Sequence, residues 1–169
     1  VRPDKVFVWN PIQQREARRL HDIRRSDIVV TGAQPFDKWF DRTPSLSREA
    51  FMRRAGFADT EPYVLFVGST SSISEPAQEI DFVRRWIAEL RRSGGRLRDI
   101  NVLVRPHPFN TEHWKDAVID DARTVVYPRG GANPVDEGDR SDYFHSIAFS
   151  EAVMGINTSA MVEATILGR

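Results

Sequence analysis

Tyr63-Val64-Leu65-Phe66-Val67-Gly68-Ser69-Thr70-Ser71-Ser72 runs from five consecutive apolar residues straight into five small ones. An apolar run without alternation is the pattern of a strand covered on both faces, as in a parallel sheet, and the small residues behind it predict a loop at the strand's carboxyl end. The pattern then repeats downstream. Ala77 to Arg92 carries Ile80, Phe82, Val83, Trp86, Ile87 and Leu90 at helical spacing and stops at Ser93-Gly94-Gly95. Ile100-Asn101-Val102-Leu103-Val104 predicts the next strand. A helix over Thr111–Asp121, a strand over Thr124–Tyr127 and a Gly- and Pro-rich loop from Pro128 to Asp139 follow. The chain closes with a helix over 142–151, a strand over Ala152–Ile156, and a helix over Thr158–Leu167 that opens on a capping residue.

Upstream, Val6-Phe7-Val8-Trp9 predicts a short strand ending at Asn10-Pro11. Gln13 to Arg25 predicts a surface helix with the narrow stripe Ala17, Leu20 and Ile23, and Asp27 to Gly32 a second strand. Ala33 to Thr43 reads as irregular, with Pro35, Phe36, Trp39 and Phe40, and Ser47 to Gly56 as a short helix around Phe51 and Met52. The polar stretch Ala58–Pro62 breaks the pattern before it restarts. The expected organisation is therefore 1–45 as the end of one domain with its linker, 46–62 as linker helix and boundary, and 63–169 as the main domain.

Strands alternating with helices at this spacing predict an α/β fold, an open doubly wound parallel sheet of Rossmann-like type with right-handed crossovers. In such sheets ligands sit beyond the carboxyl ends of the strands, which nominates the loops after Val67, Val104, Tyr127 and Ile156.

Composition excludes several classes. The 169 residues are 40% hydrophobic, enough for a core, and 24 basic against 24 acidic residues give a net charge of zero. Nothing global favours nucleic acid or an anionic membrane, so any anion site must be local. Twenty-one of the basic residues are Arg and three are Lys, which fits genome composition or a preference for forked anion contacts. No apolar run approaches the roughly 20 residues that span a bilayer. Without cysteine there is no disulfide, thiolate metal site or Cys nucleophile, which accords with a cytoplasmic location. The chain starts at Val1 without Met and stops at Ile166-Leu167-Gly168-Arg169, so a fragment of a longer protein is expected.

Three segments of the predicted ligand edge carry chemistry. Arg105-Pro106-His107-Pro108 follows a strand, and its prolines stiffen the turn that holds a guanidinium and an imidazole. Both can donate to a phosphate; the alternative is a rigid loop whose His caps a carbonyl. Asn157-Thr158-Ser159 precedes a predicted helix whose free N–H groups suit an anion, with Glu163 four residues after Ser159 on the same face. The alternative there is an ordinary cap and a solvated carboxylate. Gly68-Ser69-Thr70 lets a ligand approach the backbone or is simply a flexible loop, and it matches neither the P-loop nor the dinucleotide fingerprint. His145, beside Tyr143 and Phe144, is a weaker candidate for the same crevice. His21 and His113 fit surface or packing roles. No zinc-peptidase helix, calcium loop or nucleophile elbow occurs.

Together, Arg105-Pro106-His107-Pro108 and Gly155-Ile156-Asn157-Thr158-Ser159-Ala160-Met161-Val162-Glu163-Ala164 resemble the donor-binding half of GT-B glycosyltransferases. The resemblance is to sialyltransferase-like, capsule Kdo-transferase-like and CDP-glycerol glycerophosphotransferase-like families of surface-polysaccharide biosynthesis. It spans about residues 60–169, with residues 1–45 similar to the end of an acceptor-side domain. It implies that His107-Pro108 and Thr158-Ser159 contact the donor phosphate and that Glu163 holds the nucleotide ribose. Arg105 and His107 would then stabilise the leaving phosphate, with Gly68, Ser69, Thr70 and Asn157 around the donor. The expected substrate is a nucleotide-activated sugar or polyol phosphate, passed to a carbohydrate or lipid-linked acceptor without a cofactor or metal. Peripheral membrane association of the full-length enzyme accords with such an acceptor. Nucleotide-sugar epimerases share the fold and similar loops, and a non-catalytic binding module would keep the crevice alone, so these remain the competing functions.

Overall fold

The computed structural model describes residues 3–129 and 133–169. The chain divides into two compact units, Val1–Arg42 and Thr43–Arg169.

In the first unit, strands β1 (Val6–Val8) and β2 (Ile28–Val30) pair in parallel around helix α1 (Pro11–His21). The helix begins earlier than its apolar stripe suggests, because the Asn10 side chain accepts the N–H groups of Ile12 and Gln13, each at 2.9 Å, and Pro11 sits at the first turn. It also ends earlier, where Asp22 turns left-handed at φ 50°. Val8, Ala17 and Ile28 are buried against Val6 and Ile23, whereas Leu20, expected in the stripe, is exposed.

The second unit is built on a four-stranded, all-parallel sheet in the order β5-β4-β3-β6, formed by β3 (Tyr63–Val67), β4 (Asn101–Arg105), β5 (Thr124–Val126) and β6 (Ala152–Gly155). Helices flank it, which makes it an α/β fold of Rossmann-like type. All five residues of β3 are buried because strands lie on both its edges and helices cover both faces. One face carries Val64 and Phe66 against Ile80, Val83 and Ile87 of α3 (Pro76–Arg92) and against Trp114. On the other, the Tyr63 ring meets Phe51 and Phe57, and its hydroxyl donates to the carbonyl of Ser146 at 2.9 Å.

Helix α2 (Arg48–Ala55) departs from the linker expected over 46–62. Ser47 caps it and Gly56, at φ 97°, closes it, while Phe51 and Met52 have no exposure at all. Phe51 lies among the rings of Tyr63, Tyr127, His145 and Phe149, so the segment is part of the core of the second unit.

Helix α4 (Thr111–Lys115) is far shorter than the predicted Thr111–Asp121. The following residues are held by α3 instead, with Arg84 donating to the Val118 carbonyl at 3.1 and 3.2 Å and Arg91 forking onto Asp121 at 2.8 Å twice. Helix α5 (Glu137–Ala148) starts within the predicted loop because Asp136 accepts the Asp139 N–H at 2.8 Å. Helix α6 (Ala160–Ile166) starts two residues later than expected, and the Ser159 side chain makes no capping bond. Among the described residues no helix is long and apolar enough to cross a membrane.

Candidate functional site

The chain runs outward from β3 through β4 to β5 and then returns to place β6 on the other edge of β3, so the strand order switches between β3 and β6. Open parallel sheets part their loops at such a point. A cleft of about 340 Å³ lies there, lined by Val67 at the end of β3 with Gly68 and Thr70 after it, Arg105 at the end of β4 with Pro106 to Phe109 after it, Asn133 and Pro134, Tyr143 of α5, and Thr158, Ser159 and Glu163.

Arg105 is the last residue of β4, in register with Val67, and its carbonyl accepts the Gly68 N–H at 2.9 Å. The residue is only 4% exposed, with the guanidinium carbon 5.3 Å from the centroid of the Tyr143 ring. Neither Nη1 nor Nη2 has a hydrogen-bond partner among the described residues. Burial pulls the guanidinium below its ordinary pKa, while Tyr143, Asp142, Tyr127 and Asp139 oppose that pull. It stays cationic, because an arginine starts so far above neutrality. Buried N–H donors without acceptors are costly, and the residue that carries them lines a cleft.

His107 is half-buried beside Arg105, and burial holds its imidazole below the usual histidine pKa. The Phe109 N–H donates to Nδ1 at 3.2 Å. A backbone amide can only donate, so Nδ1 is the acceptor and the neutral ring carries its proton on Nε2. His107 is thus a neutral donor, and Arg105 supplies the charge.

The loop after β3 is fixed by buried polar groups. The Ser69 N–H donates to Glu79 Oε2 at 2.7 Å, the Ser69 carbonyl accepts from Asn110 Nδ2 at 2.8 Å, and the Ser69 hydroxyl donates to the Ile156 carbonyl. Three loops are joined through this one residue. Gly68 must be glycine, since a Cβ there would lie 2.8 Å from the His107 nitrogen.

The cleft brings together Gly68, Thr70, Arg105, His107, Pro108, Thr158, Ser159 and Glu163, as the sequence nominated. Two nominated residues do not line it. Ser69 turns its hydroxyl inward to stitch the loops, and Asn157 is an exposed left-handed corner at φ 51°. His145 is also elsewhere: it is buried, its Nε2 accepts the Ser45 N–H at 3.0 Å, and its ring stacks on Phe149. His113 is exposed on α4 and lines no part of the cleft. Of the nominated loop after Tyr127, Gly130 to Ala132 lie outside the described residues, while Asn133 and Pro134 reach the cleft.

Tyr143 is the residue that sequence reasoning missed. Its hydroxyl donates to Glu163 Oε2, and both burial and that carboxylate push its pKa up. Helix α5 buries Asp142 and then Phe144 through Ile147 consecutively, so no periodic stripe marks Tyr143 as facing a cleft. Among the described residues no group of three or more His, Asp or Glu side chains could hold a metal ion. The lining therefore offers one cation, one neutral imidazole donor, hydroxyls and a carboxylate.

Comparison of the chain with protein-family models, with curated proteins and with solved structures finds no match.

Proposed function

We propose that this cleft binds the phosphate of a nucleotide-activated donor, and that the protein serves as a glycosyltransferase or glycerophosphotransferase of surface-polysaccharide type. The observation that carries the reading is the buried Arg105 guanidinium, whose Nη1 and Nη2 lack partners and which lines a cleft at the strand-order switch. In transfer, an acceptor hydroxyl oxygen bonds to the donated group and gives up its proton to water, while the bond between that group and the nucleotide phosphate breaks and negative charge grows on the leaving phosphate oxygens. Arg105 and the Nε2–H of His107 donate to those oxygens, with Thr158 and Ser159 hydroxyls beside them. Donors fixed in advance in a partly desolvated site stabilise such charge by several kcal/mol. Glu163, from the helix that follows Ser159, accepts from hydroxyls of the sugar ring of the nucleoside.

The test is a thermal-shift panel of CMP, CDP, UDP, GDP and dTDP. A ligand that binds only the folded state raises its stability by about 2.7 kcal/mol at a hundredfold excess over Kd. At least one nucleotide should raise the melting temperature, and Arg105→Ala should remove the rise. A panel without any shift would sink the reading.

A further inference from the structure

Arg105 and Glu163 come to the cleft from different elements, the end of β4 and the middle of α6, and one side chain of α5 touches both. The guanidinium carbon lies 5.3 Å from the Tyr143 ring centroid, and the Tyr143 hydroxyl donates to Glu163 Oε2. We infer that Tyr143 is a positioning residue of this cleft: its ring face supports the guanidinium and its hydroxyl orients the carboxylate. One residue thereby sets the distance between the phosphate end and the nucleoside end. The inference rests on the nucleotide reading given above.

An aromatic ring under Arg105 has a chemical consequence that a carboxylate would not have. A carboxylate accepts two guanidinium N–H groups and neutralises the charge. A ring attracts the cation through its quadrupole and offers its N–H groups no lone-pair acceptor. Nη1 and Nη2 without partners are what such support leaves behind. The hydroxyl acts at the other end. Burial and the Glu163 carboxylate keep the phenol protonated through the neutral range, so it remains a donor to Oε2.

Ring and hydroxyl are separable by substitution. Tyr143→Phe keeps the ring and removes the donor; Tyr143→Leu removes both. Calorimetric titration with inorganic phosphate and with CMP, CDP, UDP, GDP and dTDP reads the two ends separately, on these variants, on Arg105→Ala and on the Arg105→Ala/Tyr143→Leu double variant. Tyr143→Leu should weaken phosphate about tenfold, the worth of a desolvated cation–ring contact, and should have no further effect once Arg105 is alanine. Tyr143→Phe should leave phosphate within about twofold but weaken the nucleotide that wild type prefers about tenfold, the worth of one hydrogen bond to a carboxylate. Wild-type phosphate affinity in Tyr143→Leu, or a loss of equal size in the Arg105→Ala background, overturns the role of the ring. Unchanged nucleotide affinity in Tyr143→Phe overturns the role of the hydroxyl, and decides the matter by itself if the leucine variant does not fold. Nucleotides that bind wild type no better than phosphate overturn the nucleotide reading alone, while the phosphate series still judges the ring. No binding of any probe overturns both.

Discussion

The backbone N–H of Ser69 donates to Glu79 Oε2 at 2.7 Å, and Glu79 itself has no solvent exposure. A carboxylate from the first turns of α3 thus anchors the loop that forms one wall of the cleft, with Trp114 Nε1 donating to its other oxygen at 3.3 Å. Glu79→Leu leaves two buried donors without an acceptor and should cost about 2–4 kcal/mol in chemical denaturation. Burial raises the Glu79 pKa above its ordinary 4.5. A raised acid binds its proton more readily folded than unfolded, so that favourable contribution is complete below pH 4.5 and is lost as pH rises through the folded value. The advantage of wild type over Glu79→Gln should therefore shrink across that window, and an advantage that grows would contradict the assignment.

Arg105 should behave as a residue kept for a ligand at the expense of the empty protein. Replacing a buried charge that has no carboxylate partner by a side chain of similar length removes a desolvation penalty, so Arg105→Met should be as stable as wild type or about 1 kcal/mol more so. The same variant should show no nucleotide-dependent rise in melting temperature. A large loss of stability would mean instead that the guanidinium holds the fold together.

His107 and His113 make an internal control. His107 lines the cleft and His113 does not, so His107→Ala should weaken nucleotide binding about tenfold, the worth of one donor to a charged phosphate, while His113→Ala leaves it unchanged. Because burial lowers the His107 pKa below 6.5, the unfolded chain takes up the proton first on acidification. The contribution to stability is then flat above pH 6.5 and falls as pH drops towards the folded value. Denaturation of wild type and His107→Ala at several pH values checks this, since the variant should lose less stability over that range.

Glycine is required at one loop position and dispensable at another. At Gly68 an added Cβ meets the His107 nitrogen at 2.8 Å and the Pro106 carbonyl carbon at 3.3 Å, both main-chain atoms that cannot swing away. Gly68→Ala should therefore cost about 1–3 kcal/mol and disturb the cleft. At Gly94 a Cβ meets nothing within 4 Å, and Gly94→Ala should leave stability equal or slightly higher by restricting the unfolded chain. The two midpoints in urea compare them directly.

Much of the fold was legible because periodicity is a local record of burial. The apolar run Tyr63–Val67 is the fully buried central strand, and Ile80, Val83 and Ile87 are the stripe that α3 lays on the sheet. The cleft followed from the same pattern, since strands pointing one way put the residues after Val67, Val104 and Ile156 at one edge. Boundaries were less legible where single side chains decide them, as Asn10 does for α1 and Asp136 for α5. For α4, the arginines of another helix hold the segment that the pattern alone would have continued as helix.

The sequence by itself determined which residues can form buried parallel strands, and hence that Arg105, His107, Thr158, Ser159 and Glu163 share an edge. Only the tertiary structure decided which of the edge residues face the cleft and which hold it in place. Ser69 reads from the chain as a ligand contact, yet its hydroxyl is spent on Ile156. Tyr143 reads as one more aromatic in a helix, yet it lies beneath Arg105 and against Glu163. The physical reason is that local pattern fixes whether a residue is covered, whereas the partner of a polar group is chosen among atoms far away in the chain. Hydrogen-bond satisfaction and charge support are settled only when those distant elements meet.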